Sequence, residues 1–82
     1  MEIHMKQTHI QLKLFAGLAP FTPENADRVP IESGVSVEKL LLQLNIPSEK
    51  AHLIFINGVK CSLASQLKGG ERVGIFPPVA GG

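Results

Sequence analysis

One segment of this sequence has an apolar stripe with the period of an α-helix, and that stripe limits the folds open to the chain. Its apolar residues recur at i, i+3, i+4 and i+7 within residues 36–45, and they are Val37, Leu40, Leu41 and Leu44. Ser36 is a suitable N-cap, and Glu38 places negative charge in the first turn. A chain of 82 residues forms one domain with one modest core. The remaining apolar residues must therefore cover one face of a single main helix.

The other apolar runs are short, and several alternate with polar residues as strands do. The predicted strands are residues 8–15, 27–32, 53–57, 59–61 and 73–76. The aliphatic face of the first strand carries Ile10, Leu12 and Leu14. Pro30 makes the second an edge strand, and Asn57-Gly58 is the two-residue signal of a hairpin. We predict an α+β fold, a mixed sheet with one main helix packed on one face.

Three connecting segments lack strand patterning. Residues 17–25 contain Gly17, Pro20 and Pro23 and are predicted to form a loop. Residues 62–67 are predicted to form a helical turn, and residues 68–71 a loop before the last strand. Phe15 ends the first strand on its mixed face, where it would either contact a partner or be covered by the following loop.

Composition excludes several functions. The net charge is +1, and the chain has no Trp, no Tyr and four Phe, so we expect no nucleic-acid and no membrane partner. No run is apolar enough to span a bilayer, and the single cysteine, Cys61, suits a reducing compartment, so we expect a cytoplasmic protein. The three histidines lack the spacing of metal ligands. We therefore expect no metal and no bound cofactor.

The last residues form an ordered series of parts, Phe76-Pro77-Pro78-Val79-Ala80-Gly81-Gly82. The two prolines end the last strand and stiffen the exit, and extended chain from there to Gly82 would reach about 20 Å. The two glycines lack Cβ, so they can pass through a channel too narrow for any side chain. Cys61 has no catalytic neighbour, and Gly69-Gly70 is not followed by a phosphate-loop Lys. The main-chain carboxylate at Gly82 is thus the predicted reactive group, and an inert frayed end is the alternative.

This tail resembles the C-terminus of the MoaD family, the small subunit of molybdopterin synthase, and more distantly the ThiS and ubiquitin-like sulfur carriers. Softer motifs extend the resemblance to residues 10–82, namely Leu14-Phe15-Ala16, Val37-x-x-Leu40-Leu41, Asn57-Gly58 and Gly69-Gly70-Glu71. The resemblance implies a ubiquitin-like β-grasp in which the last strand is central and parallel to the first. It implies an N-terminal arm at 1–7, the domain at 8–76 and a flexible tail at 77–82. The arginine that often follows Phe-Ala in relatives is absent here.

The resemblance also implies a reaction at Gly82. A ubiquitin-activating-type adenylyltransferase (MoeB/ThiF-like) would use ATP to adenylate it, and a sulfur donor such as a cysteine desulfurase or rhodanese would convert it to a thiocarboxylate. The large molybdopterin synthase subunit (MoaE-like) would receive the sulfur. Carried over by position, Gly81 and Gly82 thread the channel, and its entrance is lined by Pro77, Pro78, Val79 and Ala80. Phe76, Phe15 and Phe55 are the expected docking residues.

Two features leave the function open at this stage. Lys60 occupies a hairpin position where the resemblance leads us to expect an apolar contact. The same tail would also serve a carrier for thiamine thiazole or another metabolite, or a ubiquitin-like modifier conjugated to proteins through Gly82. A third class is an interaction domain whose tail is inert.

Overall fold

The computed structural model describes residues 6–78 of the chain. The strands are β1 (Gln7–Leu14), β2 (Val29–Glu32), β3 (Val35–Ser36), β4 (Leu53–Ile56), β5 (Val59–Cys61), β6 (Gln66–Leu67) and β7 (Arg72–Phe76). One α-helix, α1 (Val37–Gln43), and short 3₁₀ helices at Ala16–Phe21, Ala26–Arg28 and Ser48–Lys50 complete this part of the chain. Most of the predicted arm (1–5 of 1–7) and the tail residues Val79, Ala80, Gly81 and Gly82 lie outside the described residues.

The main sheet has five strands in the order β2-β1-β7-β4-β5, and β3 pairs with β6 in a separate two-stranded sheet. Strand β7 is parallel to β1 and antiparallel to β4. The last strand is therefore central and parallel to the first, as predicted. The α+β class and the ubiquitin-like β-grasp, a mixed sheet with one main helix on one face, are confirmed.

The core lies between α1 and one face of the sheet. The helix contributes Val37, Leu40 and Leu41, and the sheet contributes Ile10, Leu12, Leu14, Ile54, Val73 and Ile75, all buried. Leu44 and Ile56, predicted to point inward, are only partly buried against this cluster. Because strand side chains alternate, the intervening residues Gln11, Lys13, Arg72, Gly74 and Phe55 lie on the opposite face, away from α1. We call this second surface the open face.

Both ends of α1 have the capping that the sequence leads one to expect. The Ser36 hydroxyl accepts a hydrogen bond from the Lys39 amide at 3.1 Å. At the other end Asn45 has a φ of +61°, and the Ile46 amide donates to the Leu41 carbonyl at 2.9 Å. This is a Schellman-type end, and it turns the buried Ile46 back onto the core.

Two predicted connections are wrong. The segment expected to be a loop at 17–25 begins with the 3₁₀ helix Ala16–Phe21. Within this helix the Leu18 side chain is buried in the core, a contact that the local sequence does not reveal. The helical turn expected at 62–67 is a tight turn followed by β6, which pairs with β3. The fully buried Leu67 sits opposite Val35 in that pair, so a long-range contact decides its conformation.

The free edge of β2 is protected. Pro30 lies in this edge strand, as predicted, and offers no N–H to an incoming strand. Its carbonyl accepts a hydrogen bond from the Gln43 side-chain amide of α1 at 2.8 Å. Strand addition at this edge is therefore disfavoured. In the part of the chain described, no helix has the length and apolar character needed to cross a membrane.

Candidate functional site

The origin of the tail is held on both sides. The Phe15 amide donates to the Ile75 carbonyl at 3.1 Å, and the His52 amide donates to the Phe76 carbonyl at 2.8 Å. The hydrogen-bond ladder of β7 thus continues to the last residue before Pro77. The strand ends at Phe76, as the two prolines predict. Pro77 is half-buried and Pro78 is exposed, so whatever follows starts from a fixed base at the surface.

The three predicted docking residues form one cluster beside this base. The Phe15 and Phe76 rings are stacked, with centroids 4.0 Å apart and an angle of 5° between their planes. The Phe55 ring meets Phe76 edge to face at 5.7 Å and 81°. All three are half-buried. The Phe15 ring is therefore packed against Phe76. We call Phe15, Phe55 and Phe76 the aromatic cluster.

The register of the sheet explains why these rings come together. Gly74 of β7 lies between Lys13 of β1 and Phe55 of β4. A Cβ at Gly74 would make an ordinary van der Waals contact with the Phe15 ring at 3.5 Å, so the ring lies directly over this position of the sheet. The open face here forms a shallow cavity of about 800 Å³. Sequence reasoning missed Gly74, although a glycine inside a strand is a signal of close approach.

Charged side chains surround the cluster. The Lys13 ammonium lies 6.0 Å from the centroid of the Phe15 ring. Lys60 is the direct cross-strand partner of Phe55, so both side chains lie on the open face. Arg72 lines the same cavity, as do Glu24 and Asp27 from the loop beyond β1. The cluster is thus an apolar centre within a charged border.

The other end of β7 is also anchored. Partial burial acts to raise the pKa of the Glu71 carboxyl, but hydrogen bonds from the Lys68 and Gly69 amides outweigh the effect of burial. The pKa of Glu71 is therefore lowered from its ordinary value. Both bonds are 2.7 Å long. The Gly70 amide donates to the His9 carbonyl at 2.7 Å, which ties this turn to β1. The turn therefore fixes the start of the central strand.

Nucleophilic groups in the described region include those of Cys61, Ser62 and Ser65, and each of these is hydrogen-bonded to the backbone of its own strand or turn. The half-buried Cys61 thiol donates to the Val59 carbonyl within its own strand at 3.2 Å. The Ser62 and Ser65 hydroxyls accept from backbone amides of the turn that precedes β6. None of these contacts places a general base beside a nucleophile.

The order of the strands and the single main helix are those of the class of ubiquitin-like β-grasp proteins. The ThiS family profile matches residues 12–82, and the chain belongs to that family. It is therefore a ThiS/MoaD-like protein of the ubiquitin fold. No curated protein sequence matches it.

Three solved structures show the same fold. A candidate molybdopterin converting factor, subunit 1, from Pyrococcus furiosus is 27% identical with a TM-score of 0.60, over 88% of this chain and 99% of that one. The small archaeal modifier protein 1 of Methanosarcina acetivorans is 26% identical with a TM-score of 0.63, over 94% of this chain and 99% of that one. A Haloferax volcanii protein is 21% identical with a TM-score of 0.74, over 100% of this chain and 93% of that one. At this level of identity the similarity supports the fold alone.

Proposed function

We propose that this chain is a sulfur carrier whose Gly82 carboxylate is adenylated, converted to a thiocarboxylate and used as a sulfur donor in molybdopterin biosynthesis. The observation that carries the proposal is the base of the tail. The central strand is hydrogen-bonded on both sides up to Phe76, and the aromatic cluster lies directly beside it. A partner that docks on the cluster meets the tail at a fixed point. Residues 77–82 then act as a tail that threads into the partner's active site.

The chemistry needs a partner because a carboxylate is a poor acyl donor. In the proposed first step a Gly82 carboxylate oxygen attacks the α-phosphorus of ATP on the adenylyltransferase, and pyrophosphate leaves. Sulfide attacks the acyl carbon directly, and AMP leaves with the bridging oxygen. With a desulfurase or rhodanese as donor, the terminal sulfur of its persulfide attacks instead and forms an acyl disulfide, and a thiol then cleaves the S–S bond by exchange, which releases the thiocarboxylate and leaves the donor sulfur in a disulfide with that thiol. The new C–S bond replaces a C–O bond without a change in oxidation state. ATP is a substrate of the partner, and the chain itself supplies the acyl group and the docking surface.

Each tail residue has a proposed role that follows from its size. Gly81 and Gly82 occupy the narrowest part of the partner's channel because they have no Cβ. The entrance accommodates Pro77, Pro78, Val79 and Ala80, and the prolines limit the number of conformations that docking must select. Phe76, Phe15 and Phe55 bind the partner's surface outside the channel. Aromatic side chains contribute much of the binding energy at protein interfaces, which supports this assignment.

Molybdopterin is the proposed destination of the sulfur. The Pro77-Pro78-Val79-Ala80-Gly81-Gly82 ending resembles that of the MoaD family, and the Pyrococcus furiosus relative carries the description of a molybdopterin converting factor subunit. The receiving enzyme would be a MoaE-like large synthase subunit. The sulfur donor would be a cysteine desulfurase or rhodanese, and the reaction would be cytoplasmic. Thiamine thiazole formation is the alternative destination, supported by the ThiS family match.

A second candidate function is conjugation of Gly82 to lysines of other proteins. The similarity to small archaeal modifier protein 1 of Methanosarcina acetivorans favours it. Both functions begin with the same adenylate, so the fate of Gly82 separates them. A free thiocarboxylate in cells supports the carrier, whereas an ATP-dependent ladder of conjugates supports the modifier.

The test of the proposal is the intact mass of the chain after incubation with ATP, the adenylyltransferase of the source organism and a sulfide source. The chain should gain the mass difference between one sulfur and one oxygen atom, located on the peptide that ends at Gly82. The same measurement establishes that Gly82 is the terminal residue. An unchanged mass, or sulfur on Cys61 instead, would show the proposal to be wrong. Addition of a MoaE-like subunit and its pterin precursor should then remove the added sulfur.

A further inference from the structure

The position of Lys60 puts a positive charge next to an otherwise apolar contact surface. It lies directly opposite Phe55, which lies opposite Gly74, which in turn lies opposite Lys13. Side chains in one such row point to the same face of a sheet. Lys13 and Lys60 are both exposed. Lys13 on β1 and Lys60 on β5 therefore lie on the same face of the sheet, one at each end of the row that crosses the aromatic cluster.

Arg72 adds a third cation on the same face, two residues before Gly74 on β7. Its backbone is held by Asn57 of the β4–β5 turn. The Arg72 amide donates to the Asn57 side-chain oxygen at 2.9 Å, and the Asn57 amide donates to the Arg72 carbonyl at 2.8 Å. The guanidinium is exposed to solvent and lines the cavity beside the cluster. The Arg72 backbone is thus fixed by hydrogen bonds, while its guanidinium remains accessible to a partner.

The acidic side chains of this surface are placed differently. Asp27 lies in the 3₁₀ helix Ala26–Arg28 and Glu24 lies shortly before it, and both line the cavity. The cations come from β1, β5 and β7, the strands that surround or carry the rings. These strands thus place Lys13, Lys60 and Arg72 on the face that carries the rings, although the whole chain has a net charge of only +1.

We propose that the adenylyltransferase surface that covers the aromatic cluster is bordered by aspartate and glutamate side chains facing Lys13, Lys60 and Arg72, and that this charge pairing accelerates docking. The inference rests on the proposed function and names the chemistry of the partner. Charges at the border of an interface act chiefly on the rate of encounter and on the choice of partner. Lys60 is then a determinant of partner choice.

A protein surface fits these observations better than a nucleic acid does. The faces of Phe15 and Phe76 are stacked on one another, and Phe55 packs its edge against them. Nucleic acids use aromatic rings whose faces are free for bases.

The experiment measures kcat/KM for adenylation of the full chain, followed as pyrophosphate release, at low and at physiological salt. Lys13→Glu combined with Lys60→Glu should lower kcat/KM about tenfold or more at low salt and leave kcat within about twofold. The loss should shrink as salt is raised. Arg72→Glu alone should act in the same direction. The matched control, Lys6→Glu combined with Lys39→Glu, makes the same charge change at exposed sites off the open face, and it should change kcat/KM less than about twofold.

Two results would overturn the inference while leaving the proposed function intact. One is that the Lys13→Glu/Lys60→Glu variant and the Lys6→Glu/Lys39→Glu control have the same kcat/KM for adenylation, while both still gain sulfur fully on Gly82 after long incubation with excess enzyme. The other is a variant that keeps kcat/KM but loses binding of a short single-stranded RNA that the unmodified chain binds. If the unmodified chain is never adenylated, both the inference and the proposed function are wrong. Thermal unfolding of each variant shows whether the fold is retained.

Discussion

The ring of Phe15, just after β1, lies parallel to the ring of Phe76 at the end of β7, with 4.0 Å between their centroids. These strands are parallel neighbours, and the Phe15 amide also bonds to the Ile75 carbonyl. The ends of the first and last strands are thus joined by a backbone hydrogen bond and by an aromatic pair. Pro77 follows directly at this junction, so the position at which the tail begins depends on residues from both ends of the sequence.

Phe15→Ala should therefore affect both stability and activation. We expect it to lower the free energy of unfolding by about 1–2 kcal/mol, since the ring is half-buried and stacked. It should raise KM for adenylation because the partner loses part of its docking surface. Phe21→Ala is the matched control, since Phe21 is also half-buried but lies outside the cluster. Urea unfolding and pyrophosphate release measure the two effects. Equal KM values for the two variants would argue against docking on the cluster.

The helix contact with the core has its own test. Leu41 is 1% exposed, while its neighbour Leu42 is 67% exposed. Leu41→Ala should cost about 2–5 kcal/mol, a large share of the stability of so small a domain. Leu42→Ala should change stability by less than about 0.5 kcal/mol. Chemical denaturation of both variants compares the same substitution on the two faces of one helix. A similar cost at both positions would contradict the packing described.

Removal of Gly82 should separate chemistry from folding. Neither Gly81 nor Gly82 contributes to the predicted core, so deletion of Gly82 should leave the unfolding midpoint almost unchanged and abolish sulfur gain. Gly81→Trp should reduce sulfur gain nearly as much, because the channel requires the absence of a side chain. Ala80→Gly is a mild control and should retain activity. Intact mass after the complete reaction measures all three. Sulfur gain without Gly82 would contradict a reaction at that carboxyl.

The Glu71 turn predicts a pH dependence of stability. The pKa of Glu71 is lowered from its ordinary value of 4.5, so the unfolded state binds the proton more tightly than the folded state. The stabilising contribution is therefore complete above pH 4.5 and is lost as the pH falls through the lower folded pKa. Glu71→Gln should be less stable than the unmodified chain at neutral pH, and the difference should narrow in acid. Urea midpoints across this range measure it. A difference that does not vary with pH would show that the charge is unimportant.

The local elements were largely predictable because their signals are local. The 3.6-residue stripe, the Ser36 cap and the Asn57-Gly58 turn each depend on a few neighbouring residues, and the structure contains all three. The Pro77-Pro78 end of the last strand was predictable because proline lacks the N–H that a ladder requires. The wrong segments, 17–25 and 62–67, are those in which buried Leu18 and Leu67 find distant partners.

The sequence by itself determined the β-grasp order of elements, the inward faces and the tail whose Gly82 we propose as the reacting group. The family resemblance assigned Phe15, Phe55 and Phe76 to one docking surface but did not predict that the three rings contact one another. Only the tertiary structure decided that they stack above Gly74, with Lys13 and Lys60 on either side. The physical reason is register. The pairing of β1, β7, β4 and β5 aligns residues far apart in the chain, and no local pattern fixes that alignment.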